Sequence, residues 1–104
     1  MFATENRVVV IDNINGVEYD TRKAEAITFY DNGLEEDNPC FFKETLYRKR
    51  DTGEYFMQGE GGVQTVYCGG VRLIPMLKDD VKAWVLNYFD DEFYRDVFGK
   101  EVVA

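Results

Sequence analysis

At Pro75 the apolar residues of this chain change period, and that switch constrains the fold more than any other feature. After it, Leu77, Val81, Trp84, Val85 and Tyr88 recur at the i, i+4, i+7, i+8 and i+11 spacing of one apolar helix face. Asp79 and Asp80 fall in the first turn, where the helix dipole favours negative charge. A second short helix is expected from about Asp91 to Phe98, with Phe93, Val97 and Phe98 facing inward and Gly99 as its stop. Before Pro75 the pattern is one of short β-rich runs separated by turn residues, and Pro75 closes the sheet region. Helices gathered behind a run of strands pack together on that sheet.

The upstream runs can be read in order. Arg7-Val-Val-Val-Ile11 is β-branched, and Asn15-Gly16 is a two-residue hairpin signal leading into Val17-Glu18-Tyr19. Asp20 or Thr21 then offers a cap for a short helix from Arg22 to about Tyr30, with Ala24 and Ile27 inward and Asn32-Gly33 ending it. Leu34 to Pro39 is an acidic connection. A long strand from Cys40 to Arg50, the turn Asp51-Thr52-Gly53 and a strand from Glu54 to Gln58 make a central hairpin, with Gly53 in the left-handed position. Gly59, Gly61 and Gly62 mark a turn or bulge, and Val63–Cys68 with Val71–Ile74 read as a further hairpin around Gly69-Gly70. The expectation is one α+β domain over residues 1–104: a mostly antiparallel sheet with one short N-terminal helix and two C-terminal helices packed on it.

Charge is distributed unevenly. Residues 1–39 carry 9 carboxylates and 3 basic side chains, residues 40–78 carry 4 and 6, and residues 79–104 carry 7 and 3. Acidic ends, with the clusters Glu35-Glu36-Asp37 and Asp90-Asp91-Glu92, thus flank a middle that holds Arg48-Lys49-Arg50. Such ends repel nucleic acid and attract a protein whose surface is basic.

Several chemistries are excluded by composition. The chain has no histidine and no serine, which removes Ser-His and Cys-His nucleophilic systems, imidazole bases and His-ligated metals. Gly59-Glu-Gly-Gly62 lacks the Lys-Ser/Thr of a phosphate loop, and Asp12-Asn-Ile-Asn-Gly16 lacks the ligand alternation and closing Glu of a calcium loop. A carboxylate pair such as Glu44 and Glu60 is the one catalytic option left, and twenty acidic residues supply such pairs by chance. The expectation is therefore no enzyme, no cofactor and no metal. Cys40 and Cys68 read as small buried hydrophobes rather than as a disulfide framework. No apolar run approaches a membrane span and no signal peptide is evident at the start, so a cytoplasmic protein is expected.

The candidate binding residues lie on the hairpin and in the acidic clusters. One face of the first central strand reads Phe41, Lys43, Thr45, Tyr47, Lys49 and the other Phe42, Glu44, Leu46, Arg48, Arg50; neither is cleanly apolar. Tyr47, Tyr55 and Phe56 beside Arg48, Lys49 and Arg50 suit either a protein interface or stacking on single-stranded nucleic acid, and Arg48 and Arg50 can equally pair with Glu44, Glu54 or Glu60.

Glu44-Thr-Leu-Tyr-Arg-Lys, Gly53-Glu-Tyr-Phe and Gly59-Glu-Gly-Gly62 resemble segments of small acidic proteins carried on phages, plasmids and conjugative elements of Gram-positive bacteria. Tyr19-Asp-Thr with Lys23-Ala24, Ile74-Pro75, Ala83-Trp84 and Phe98-Gly99 follow the same pattern, so the resemblance covers most of the chain. Leu77-Lys78 departs from it, because a Ser or Thr cap is usual before the last long helix. Some proteins of this kind are similar to anti-CRISPR inhibitors. Most have no assigned activity. The resemblance, with the charge segregation and the absent catalytic residues, leads to the expectation of a non-enzymatic accessory protein that binds a basic nucleic-acid-handling partner, such as an RNA-guided nuclease or its complex with guide RNA. The expected contacts are Tyr47, Arg48, Lys49, Arg50, Tyr55 and Glu60, with Glu35, Glu36, Asp37, Asp90, Asp91 and Glu92. The alternatives are a nucleic-acid-binding or regulatory module that uses the 44–58 hairpin directly, and a homodimer formed through an exposed strand edge.

Overall fold

The computed structural model describes residues 9–102. Strands β1 (Ile11–Ile14) and β2 (Val17–Asp20) form a hairpin whose turn residues, Asn15 at φ 53° and Gly16 at φ 82°, have the left-handed pair that matches strand twist. The residues before Val9 in the Arg7–Ile11 run lie outside the described part. Strands β3 (Ala24–Asp31), β4 (Phe42–Lys49), β5 (Tyr55–Gly61) and β6 (Val71–Met76) form an antiparallel meander in chain order. Helices α1 (Lys78–Tyr88) and α2 (Asp91–Val102) follow.

Among the described residues there is no N-terminal helix. The segment expected to be helical from Arg22 to Tyr30 is a single 3-10 turn, Thr21–Lys23, followed by β3. Asp20 does cap, but its carboxylate accepts from the Arg22 N–H at 2.9 Å and closes only that one turn. Ile27-Thr28-Phe29-Tyr30 is a run of β-branched and aromatic residues, which suits a pleated surface better than a helix. The spacing of Ala24 and Ile27 misled, since the two meet opposite faces of the sheet. Ala24 packs with Tyr47 and Phe56, while Ile27, at a bulge between Ala26 and Thr28, packs under the helices.

Other boundaries shift for related reasons. Gly59 and Gly61 lie inside β5 rather than in a turn. Residues 62–70 form successive turns, not a strand: Gly62 O accepts from Thr65 N–H at 3.1 Å and Gly69 N–H at 3.0 Å. Pro75 sits within β6, which it can do because β6 is an edge strand. Leu77, expected to face inward, is 75% exposed ahead of α1, where Asp80 accepts from its backbone N–H at 2.9 Å. α2 runs through Gly99, and the side chain of Val97 lies outside the described ones. Cys40 and Cys68 are both exposed thiols rather than buried hydrophobes.

The meander is buried on both faces, which explains why neither face of β4 reads as apolar. Leu46, Tyr55 and Met57 meet Val81, Val85, Tyr94 and Phe98 of the helices. Tyr47, Phe56, Leu73 and Ala24 meet Tyr19 of the β1–β2 hairpin on the other side. Tyr47 stacks on Phe56 with centroids 5.3 Å apart, and Tyr19 meets Phe56 edge-on at 5.4 Å.

Candidate partner-binding surface

Ladder register sorts the expected site residues to two ends of the sheet. The β4–β5 turn, with Arg48, Lys49 and Arg50, is at one end; the β3–β4 connection, with Glu35, Glu36 and Asp37, is at the other. Helix α1 starts just after Met76, which pairs with Tyr55 near the turn, and crosses the sheet obliquely from the β6 edge to β3. At its far end Tyr88 stacks on Tyr30 at 4.0 Å, next to the β3–β4 connection. Asp90, Asp91 and Glu92 therefore open α2 at the same end as Glu35, Glu36 and Asp37. The fold gathers both acidic clusters and holds them away from the basic one.

The hairpin end is less available than its sequence suggests. Tyr47 is 1% exposed and Tyr55 4%, so both are core side chains on opposite faces. The Lys49 ammonium lies 4.2 Å from the centre of the Tyr19 ring and 3.3 Å from a Glu54 carboxylate oxygen. Arg48 is half-buried on the helix side, opposite Glu25 of β3 in the ladder, and Arg50 is exposed. Nearby, Arg22 grips Asp20 through Nη2 at 2.9 Å and Nε at 3.2 Å, and this guanidinium holds the Asp20 carboxyl below its ordinary value. Positive charge here is interleaved with carboxylates.

The acidic end is different. Glu35, Glu36 and Asp37 are exposed on a connection whose shape is set by short polar bonds. Asp31 accepts from Gly33 N–H at 2.8 Å, Asn38 from Cys40 N–H at 2.8 Å, and the Asn32 amide donates to Cys40 O at 2.8 Å. Gly62 N–H donates to Phe41 O at 2.8 Å and Gln64 N–H to Pro39 O at 2.9 Å, tying this connection to the 62–70 turns. Between the two lies a cleft of about 380 Å³ whose lining includes Glu36, Asp37, Phe41 and Glu60. Glu60 thus joins the acidic group, not the basic hairpin. Asp90 caps α2 by accepting from Phe93 N–H at 2.8 Å, and Asp90, Asp91 and Glu92 are all exposed.

One polar cluster was not anticipated. Glu44 faces the helices and accepts from Trp84 Nε1–H at 2.8 Å and from the Tyr67 hydroxyl. The Tyr67 ring lies against Gly59, in the space a Cβ there would fill. Burial, then the Glu44 carboxylate, push the Tyr67 phenol well above its ordinary range, so it stays protonated and donates; Tyr88 is pushed up by the same two causes. Glu44 and Glu60 project from opposite faces of the sheet, since Glu44 pairs with Gly59 and Glu60 with Lys43, so they do not form a carboxylate pair. The lone in-chain signal for this cluster was an acidic residue between Phe42 and Leu46 on one strand face.

No family model, curated protein or solved structure matches the chain. Among the described residues no helix is long and apolar enough to cross a membrane, and no group of three or more Cys, Asp or Glu side chains is placed to hold a metal ion.

Proposed function

We propose that this protein is a non-enzymatic inhibitor of the kind carried by mobile elements, which binds a basic nucleic-acid-handling protein through its acidic end, as anti-CRISPR proteins do with RNA-guided nucleases. The observation that carries the reading is the placement of Glu35-Glu36-Asp37, Glu60 and Asp90-Asp91-Glu92 at one end of the sheet. Channels that hold nucleic acid are basic, and a rigid acidic surface competes for them electrostatically. On this reading the protein acts in the cytoplasm, where such nucleases work. The hairpin end supports the role by rigidity, because Tyr47 and Tyr55 anchor the sheet and are not offered as stacking platforms.

The test is a DNA-cleavage assay against a panel of RNA-guided nucleases, with complex formation followed by size-exclusion chromatography. Inhibition that weakens with added salt and with charge removal at Glu35, Glu36 and Asp37 supports the proposal. Unchanged cleavage and no complex across the panel overturn it.

A further inference from the structure

The two edges of the meander are not equivalent. β6 carries Pro75, which has no N–H to offer a neighbour, and the Arg72 side chain folds back to donate to Val66 O at 3.1 Å. β3 pairs with β4 along one side, and among the described residues its other side has no ladder partner. The first half of β3 has ordinary edge protection, with Glu25 exposed and a bulge between Ala26 and Thr28. The second half, Thr28–Asp31, has no proline, glycine, lysine or bulge, and Phe29 there is 52% exposed.

Charge says what such an edge would accept. Between Ala24 and Lys43 the chain has five carboxylates, Glu25, Asp31, Glu35, Glu36 and Asp37, against one cation, Lys43, which lines the same hollow as the last four of them. A second copy of this edge would bring like charges together, whereas a cationic strand is attracted. Phe29 and Asp31 lie on the face away from α1, and Lys43 already places its ammonium 4.7 Å from the Phe29 ring centre. Thr28 and Tyr30 point to the other face, where Tyr88 closes over Tyr30. The period-two alternation of a strand would set every second side chain of an added segment over Phe29 and Asp31.

We propose that an extended segment of the partner, with Lys or Arg at alternate positions, adds to the outer edge of β3 over Thr28–Asp31 as a further strand. This rests on the acidic-end reading above and specifies how contact is made. Main-chain hydrogen bonds fix the register, and the cations meet Phe29 and Asp31 while smaller residues face Tyr30.

The probe is a short fluorescent peptide alternating Lys and Val, compared with two versions N-methylated either on every Lys or on every Val backbone nitrogen. In strand addition only one of the two sets of N–H groups faces β3. One methylated peptide should therefore lose affinity by roughly tenfold or more while the other binds like the parent. Hydrogen exchange should slow with the parent peptide at those amides of Thr28–Asp31 that point away from β4, and Phe29→Ala should weaken binding by about two- to fivefold. Equal binding by both methylated peptides, or binding without protection on β3, overturns strand addition and leaves the acidic-end reading standing. No binding by any of the peptides at low salt also overturns it, and the nuclease panel decides the wider reading independently.

Discussion

The two ends of the sheet carry charge clusters that look alike in sequence and behave oppositely in the fold. At the hairpin end, Arg48 and Lys49 lie along a core made of Tyr47, Tyr55, Phe56 and Tyr19, and carboxylates interleave with them. At the acidic end, Glu35, Glu36 and Asp37 stand on an exposed connection braced by Asn and Asp turn bonds, and with Asp31 they outnumber Lys43, the cation that lines the same hollow. A charged run therefore reports a binding surface only when the counter-charges folded against it are too few to neutralise it. Substitutions at the hairpin end should be felt as stability, and those at the acidic end as binding.

The largest effect is expected at Tyr47. If it belongs to the core, Tyr47→Ala should cost about 3–5 kcal/mol, read from urea denaturation followed by the emission of Trp84, the lone tryptophan. A midpoint close to that of the unaltered protein would mean that Tyr47 is a surface contact and would erase the distinction between the ends. Gly59→Ala comes next, at about 1–3 kcal/mol, because the added Cβ meets the Tyr67 ring and must push it off the sheet. Loss of the Tyr67–Glu44 bond should also change Trp84 emission before unfolding, since Glu44 holds the indole N–H. An unchanged emission spectrum would show that the two contacts to Glu44 are independent.

Particular residues show where the sequence could and could not be read. Asn15-Gly16 encodes its turn locally, because few other pairs tolerate φ 53° and 82°, and the hairpin was legible. Val81 and Val85 share a helix face at i, i+4 and are both buried, so α1 was legible too. β3 was not, since Ala24 and Ile27 satisfy a helical spacing and only pairing with β4 makes the segment a strand. Tyr47 and Tyr55 were misread as surface groups because a strand buried on both faces loses the alternation that tells inside from outside. Glu44, Tyr67 and Trp84 meet across 23 and 40 positions of chain, which no local pattern encodes. The acidic clusters were visible as composition, but their gathering at one end depends on the direction of α1 across the sheet.

Alkaline titration probes the interior nearer the acidic end. The Tyr67 phenol is raised above its ordinary value of 10.0 in the folded state, so its contribution to stability is complete below that pH. As pH rises past the unfolded value toward the folded one, the unfolded chain loses its proton first and stability falls. Glu44→Gln removes the carboxylate part of the shift and leaves the part due to burial. The decline above about pH 10 should then be shallower in the variant, with a cost at neutral pH of about 1 kcal/mol for the weakened bonds to Tyr67 and Trp84. Identical alkaline slopes would mean that Tyr67 ionises without reference to Glu44.

The smallest effect on stability, and the sharpest on function, is expected from Glu35→Gln, Glu36→Gln and Asp37→Asn together. None of these side chains bonds to the core, and the turn that carries them is shaped by Asp31, Asn32 and Asn38, which the substitutions leave in place. The urea midpoint should not fall, and at low ionic strength it should rise slightly, because a protein of net charge −8 repels itself and three charges are removed. Binding of the alternating Lys-Val peptide should weaken at low salt, and the difference between variant and parent should vanish as salt screens both. The matching variant at the other end, Arg48→Gln with Arg50→Gln, should leave peptide affinity the same or slightly tighter, since it removes like charge from the protein. If instead the hairpin variant abolished binding and the acidic one did not, the roles assigned to the two ends would be reversed.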